Sequence, residues 1–183
     1  MVKEMATTEL KCQQCPVCGK KSLTLREAES EVPYFGTLFL FSMECEECKY
    51  RKADVEAAHT QEPCRYTFDV ESKEDLNVRV VKSAEARVKI PYIGDIEPGP
   101  AAEGYITNIE GVLTRLKEQV ESARESEEDE ELKKKAKNIL KKIQRVFWGE
   151  EKIKVIIEDP TGNSAIISDK AIKTKFSSHD KTR

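Results

Sequence analysis

Cys15-Pro16-Val17-Cys18-Gly19 and Cys45-Glu46-Glu47-Cys48, separated by 26 residues, are the stretches that decide the fold of this 183-residue chain. Two residues between cysteines let both sulfurs of a pair face one metal ion from a tight turn, where backbone amides can donate to them. Gly19 supplies the left-handed conformation such a turn needs. Two turns of this kind bring together four thiolates in a tetrahedral set, the arrangement zinc takes in structural sites. The interval exceeds the roughly 15–20 residues of the usual pattern, and a long β-hairpin between the knuckles accounts for the excess. The metal set read here is Cys15, Cys18, Cys45 and Cys48, holding one structural zinc ion. Cys12 stands at the same spacing from Cys15, so a Cys12–Cys15 pair is the alternative register. Pro16 and Gly19 favour the first choice and leave Cys12 a spectator. Cys64 reads as a small packed residue.

Outward from the knuckles, Leu23-Thr24-Leu25 and Thr37-Leu38-Phe39-Leu40-Phe41 read as strands, with a turn over Val32-Pro33-Tyr34-Phe35-Gly36. Residues 1–11 read as a loose polar tail. A domain boundary is expected near residues 58–63, giving a zinc-ribbon domain over 1–60 and a β-rich domain over 61–183. In the second domain, residues 65–70, 77–81, 86–90 and 152–157 read as strands, and 93–100 as irregular because Gly and Pro interrupt it. Residues 165–167 read as the strand paired with 152–157 across the turn 159–164, and the end from Lys173 reads as frayed.

Between residues 107 and 147 the apolar period changes to that of a helix. Ile109, Val112, Leu113, Leu116 and Val120 form one stripe, and Leu132, Ala136, Ile139, Leu140, Ile143, Val146 and Phe147 another. The spacing predicts a helical hairpin turning near 124–129, opened by a capping box of Thr107 and Glu110. Residues 121–131 hold seven acidic side chains and one basic, and residues 132–145 hold seven basic and none acidic. Acids early and bases late suit the dipole of the second helix, and the run reads first as a solvated face.

Charged residues make up 36% of the chain and the net charge is −3. A duplex-DNA binder usually carries a basic footprint, so nucleic acid is not the expected partner of the chain as a whole. No run approaches the roughly 18 apolar residues of a membrane span, and the first residues lack the apolar core of a secretory signal. A cytoplasmic location follows, where a disulfide framework is not expected. The basic residues Lys20, Lys21, Lys49, Arg51 and Lys52 flank the knuckles and offset the thiolate charge.

Four thiolates leave a metal no open position for substrate. The only histidines are His59, at the expected boundary, and His179, in the expected tail. There is no Walker-type loop, and Asp159-Pro160-Thr161-Gly162-Asn163-Ser164 lies between strands, the wrong context for a phosphate cradle. The reading is a zinc protein that is not an enzyme.

Five blocks in order carry a resemblance. They are Cys15-Pro16-Val17-Cys18-Gly19; Val32-Pro33-Tyr34-Phe35-Gly36 leading to Cys45 and Cys48; Arg65-Tyr66-Thr67 with Asp75-Leu76-Asn77; residues 106–113; and Glu158-Asp159-Pro160-Thr161-Gly162-Asn163-Ser164. Together they resemble the ZPR-type ("ZPR-one") zinc-finger family, whose eukaryotic members carry two tandem modules where this chain has length for one. The resemblance implies a mainly β protein with some α: an N-terminal four-cysteine zinc ribbon, then a β-sandwich-like, double-stranded β-helix domain with a helical hairpin. It also implies binding to translation elongation factor 1A and assistance in its folding or regulation. Lys49 departs from the family, which often has Gly there.

Candidate partner contacts are Tyr34 and Phe35 with Lys49, Tyr50 and Arg51, because aromatics and Arg anchor interfaces. Leu38, Phe39 and Phe41 extend that set unless they pack within their own domain. A nucleic-acid-binding ribbon and a structural subunit of a larger assembly are the alternatives.

Structural zinc contributes roughly 10–16 kcal/mol in small zinc peptides. Chelation is therefore expected to unfold the N-terminal domain, and a circular dichroism spectrum that stays native after zinc removal would refute this.

Overall fold

The computed structural model of the chain describes residues 7–32, 36–58, 61–99 and 102–176. Four antiparallel strands form the first sheet in the order β1-β2-β3-β4: β1 (Thr7–Gln13), β2 (Leu23–Val32), β3 (Gly36–Cys45) and β4 (Arg51–Ala57). The central strands run for ten residues each, well beyond the short segments read from apolar content. Their register sets Leu23 opposite Cys45, which brings the start of β2 to the second knuckle. The expected turn at 33–35 lies outside the described residues.

The reading of residues 1–11 as a tail is corrected from Thr7 onward. β1 pairs with β2 from Thr7↔Ala28 to Leu10↔Leu25. All seven of its residues are exposed, so it leaves no apolar alternation to detect. β4, with the charged sequence RKADVEA, likewise carries no regular apolar alternation, Val55 being its one large apolar residue.

The rest of the chain builds two more antiparallel sheets around one core. The strands are β5 (Cys64–Val70), β6 (Arg79–Lys82), β7 (Arg87–Ile90), β8 (Gly94–Ile96), β9 (Tyr105–Asn108), β10 (Ile153–Asp159), β11 (Ala165–Ile167) and β12 (Ile172–Lys175). Five lie in the order β12-β5-β10-β7-β8 and three in the order β11-β6-β9. Cys64, Tyr66, Phe68 and Val70 alternate inward along β5, as the two-residue period of a strand requires. Val80 and Val81 from the smaller sheet meet Val88, Val155 and Ile157 from the larger one in the same buried cluster.

Several expectations are corrected here. Residues 94–96, read as irregular, form the edge strand β8 on β7. Residues 172–175, read as fraying, pair with β5 as β12. Residues 74–77 form a 3₁₀ turn, so β6 begins at Arg79.

β11 does not pair back on β10 but crosses to β6. The crossing is held by a buried polar knot. Asp159 Oδ2 accepts hydrogen bonds from the Ser83 hydroxyl at 2.8 Å and the Ser164 hydroxyl at 2.5 Å, while its Oδ1 accepts from the Thr161 amide at 2.8 Å. These donors satisfy the buried carboxylate and tie the turn after β10 to Ser83, just after β6.

The helices are α1 (Ile109–Ser126) and α2 (Glu130–Phe147), joined by three residues. The cap of α1 is Asn108, whose Oδ1 accepts from the Gly111 amide at 2.8 Å, and not the expected Thr107. Thr107 is held in β9 opposite Val80. Asp129 caps α2 through the Glu131 amide at 2.7 Å. Ile109, Val112, Leu113, Leu116, Ile143 and Val146 seat the base of the hairpin in the core. No residue from 117 to 142 is buried, so the outer part of the hairpin is solvated.

The ribbon leans on this second body. Leu38 of β3 is fully buried within the larger core, with Val55 of β4 packed against it. The Gly104 amide donates to Asp54 Oδ1 at 2.8 Å. A Cβ at Gly104 would lie 2.6 Å from the Val55 carbonyl oxygen, so only glycine allows this approach.

Phe68 is fully buried at the centre of the larger core. Phe68→Ala is expected to cost about 3–5 kcal/mol of global stability in urea unfolding. Zinc content should stay unchanged, since the knuckles have a separate small core.

Candidate metal centre

The two knuckles fold alike. In the first, the Cys15 amide donates to the Lys20 carbonyl at 2.9 Å and the Gly19 amide to the Cys15 carbonyl at 2.9 Å. In the second, the Cys45 amide donates to the Tyr50 carbonyl at 2.8 Å and the Lys49 amide to the Cys45 carbonyl at 3.0 Å. Gly19 and Lys49 thus hold the same place, and both are left-handed, at φ +71° and +60°. Lys49 takes in the second knuckle the left-handed conformation that Gly19 takes in the first.

The Cys15, Cys18, Cys45 and Cys48 sulfurs all lie within 4.8 Å of one another. Cys15 and Cys48 sulfurs are 3.6 Å apart, and Cys18 and Cys45 sulfurs 3.7 Å. Zinc–sulfur bonds of about 2.3 Å in a tetrahedron place sulfurs about 3.8 Å apart, so the set has the size of a zinc site. Cys12 is not in it: this exposed residue sits at φ +59° in the irregular end of β1. Cys64 is buried in the other core, its sulfur 3.8 Å from the Ser164 carbonyl oxygen.

The sulfurs differ in electrostatic setting. The Ser22 hydroxyl, 3.2 Å from the Cys45 sulfur, and the Cys48 amide hold the Cys45 thiol at about 6, below its usual range. The Tyr50 amide favours a Cys48 thiolate, but burial and the Cys45, Cys15 and Cys18 sulfurs outweigh it and push that thiol up to about 12. The first thiolate forms readily and the last resists, because like charges are crowded together. A dication removes that conflict, so the donor set fits one structural zinc ion. Four sulfurs fill its coordination sphere.

Lys20 follows the first knuckle and Glu47 lies in the second. Their ion pair, at 2.6 Å, straps the knuckles together. Glu47 first, then the Cys18 and Cys45 sulfurs, hold the Lys20 ammonium above its usual range. Arg51 pairs with Glu44, and Lys52 with Glu103 at 3.9 Å. Of these three cations, Lys20 feels the thiolates as well as its carboxylate, while Arg51 and Lys52 answer carboxylates alone. Sequence reasoning missed Ser22 and the Lys20–Glu47 strap, because no spacing rule marks a serine or glutamate that meets a sulfur or lysine only after pairing.

The candidate partner residues separate. Tyr50 is half-buried against the small cluster of Cys15, Leu23 and Cys45, with Leu25 and Met43 alongside. Lys49 is exposed, and Arg51 is exposed and ion-paired. Leu38 is buried in the other core and cannot meet a partner. Phe39 and Phe41 are half-buried neighbours, with ring centroids 6.5 Å apart. Tyr34 and Phe35 lie outside the described residues.

The sequence profile of the ZPR1 zinc-finger domain matches residues 6–63, and that of the ZPR1 jelly-roll domain matches residues 74–183. An uncharacterized ZPR1-like protein of Methanocaldococcus jannaschii is 41% identical over 157 residues, covering 85% of this chain and 79% of its own length. One from Pyrococcus horikoshii is 40% identical over 178 residues, covering 94% and 79%. The zinc finger chaperone zpr1 of Schizosaccharomyces pombe is 36% identical over 156 residues, covering 83% of this chain but 33% of its own.

A side chain in the left-handed region costs about 1–2 kcal/mol. Gly19→Ala is expected to loosen zinc by about tenfold in competition with a chromophoric chelator. Lys49→Gly should hold zinc at least as tightly as the natural chain.

Proposed function

This chain belongs to the ZPR1 family, carrying its zinc finger and jelly roll in order, and from that premise we propose that it binds translation elongation factor 1A and assists its folding or regulation. The zinc is structural and the protein is not an enzyme in this reading; it works in the cytoplasm by holding a protein client. A relative named as a zinc finger chaperone supports a protein partner. The elongation factor itself enters through the family resemblance.

One observation carries the choice of surface. A groove of about 180 Å³ on the ribbon is lined by Leu10, Leu25, Phe41 and Met43, with Thr8, Ser42 and the charged Arg26 and Glu27 beside them. Leu10 is 54% exposed on a sheet otherwise rich in charge. Leu25 and Met43 also pack on the cluster of Cys15, Leu23 and Cys45, so the groove adjoins the metal centre. Apolar anchors in a preformed recess are the usual source of interface energy. Lys49, at the rim of the second knuckle, adds a charged contact.

The test is calorimetric titration of the zinc-loaded protein with elongation factor 1A from the same source, in its GDP and GTP forms. Micromolar affinity or tighter for at least one form is expected. Leu10→Glu should weaken it at least tenfold while zinc content stays constant. No binding to either form would overturn the reading.

A further inference from the structure

The hairpin and the groove at its base form a second surface, remote in character from the apolar ribbon. Lys134, Lys137, Lys141 and Arg145 recur at helical spacing on the side of α2 opposite its buried stripe, and all four are exposed. They span about 16 Å of helix at 1.5 Å per residue. Lys134, Lys135, Lys137 and Lys141 make no ion pair among the described residues. The other α2 cations do reach carboxylates: Lys133 meets Glu130 at 2.8 Å, and Lys142 and Arg145 meet Glu151.

The next cation along, Lys142, lines an open groove of about 410 Å³ with Tyr92, Lys152 and Lys154. Its ammonium lies 5.3 Å from the centre of the Tyr92 ring. Tyr92 is 90% exposed and sits at φ +64°, a conformation bulky side chains rarely adopt. The turn therefore holds an aromatic ring in solvent at a cost that no buried contact of the ring repays. Carboxylates are present too: Asp69 pairs with Lys154 at 3.4 Å and Glu71 with Lys152 at 3.0 Å. Glu151 pairs with Lys142 at 3.8 Å and Arg145 at 3.2 Å. Glu150 also lies 3.9 Å from Arg145, and the Lys142–Glu151 pair is half-buried, but the unpaired lysines leave the surface net positive in a chain whose net charge is −3.

We propose that the outer face of α2 and the Tyr92 groove bind single-stranded nucleic acid, with the lysines on the phosphates and the Tyr92 ring stacked on a base. A cationic track joined to an exposed aromatic is how sequence-tolerant single-strand binders are built. The regular rise of the cations suits a repeating backbone charge. The flat ring suits an unpaired base, which an acidic peptide does not offer. The acidic end of the hairpin, from Glu127 to Glu131, repels phosphate and closes the track on that side. This surface shares no residue with the ribbon groove, so it stands or falls separately from the elongation-factor reading.

Fluorescence anisotropy of a labelled twelve-nucleotide RNA with the full-length, zinc-loaded protein tests it. Saturable binding is expected at 50 mM salt, with log affinity falling against log salt by about 0.7 for each phosphate contact. Charge reversal at Lys137 and Lys141 should weaken binding more than tenfold and make the salt slope shallower by about 1.4. Tyr92→Asn, which accepts the left-handed backbone, should weaken it about tenfold, and Tyr92→Phe should retain it. Circular dichroism of each variant checks the fold. No binding at 50 mM salt, affinity unchanged in the variants, or equal binding of a polyglutamate peptide would overturn the proposal, the last pointing to an acidic protein segment.

Discussion

Four cysteine sulfurs crowded within one small volume set the terms for the whole N-terminal half. Among the described residues, only Cys15, Leu23 and Cys45 are buried in the cluster around them, with Cys18, Leu25, Met43 and Tyr50 partly buried against it. So small a cluster cannot bury enough apolar surface to offset the chain entropy of a four-stranded sheet. The metal supplies what the core lacks, and it also settles the electrostatics, since adjacent thiolates repel unless a dication sits between them. The Lys20–Glu47 strap and the Ser22 hydroxyl then refine a geometry the metal has imposed.

The other support for the ribbon comes from the jelly roll. Leu38 leaves the ribbon to fill the neighbouring core, and Gly104 approaches β4 closely enough to donate to Asp54. The turn at 159–164 belongs to the same joint. Gly162 sits at φ +73°, and a Cβ there would lie 2.4 Å from the Glu62 carbonyl oxygen. The Asp159 knot on one side and the linker at 61–62 on the other thus share one turn. A motif that invites a nucleotide-binding reading is a brace between the two parts of the molecule.

Two surfaces of contrasting chemistry follow from this construction. The ribbon presents an apolar groove shaped by residues that also pack on the metal cluster. The hairpin presents cations that its own carboxylates do not neutralise. Net charge averages over both and conceals the second, because the acids concentrate at the hairpin turn while the bases lie along α2.

Legibility in the sequence tracked the range of the interaction. The knuckles, the helical hairpin and β5 each carry their pattern within a few residues, in a C-x-x-C spacing, a period of 3.6 or a period of two, and were read directly. β1 and β12 expose every residue, so pairing is their only signature, and pairing depends on a strand far away in sequence. β8 is three residues long, held by its register on β7. The cap of α1 moved from Thr107 to Asn108 because the β9–β6 ladder claims Thr107 first.

Local sequence alone specifies a four-sulfur metal site, a β-rich body with a helical hairpin after it, and the family the chain resembles. Those properties are written in local spacing, and ligand chemistry or helical geometry turns spacing into structure. Tertiary structure alone decided that Leu38 serves the second core and not a partner, that β11 crosses between sheets, and that Tyr92 stands in solvent beside Lys142. Each of those outcomes depends on groups distant in the chain competing for the same hydrogen bonds or the same buried space, and that competition is resolved only when the sheets close around one core.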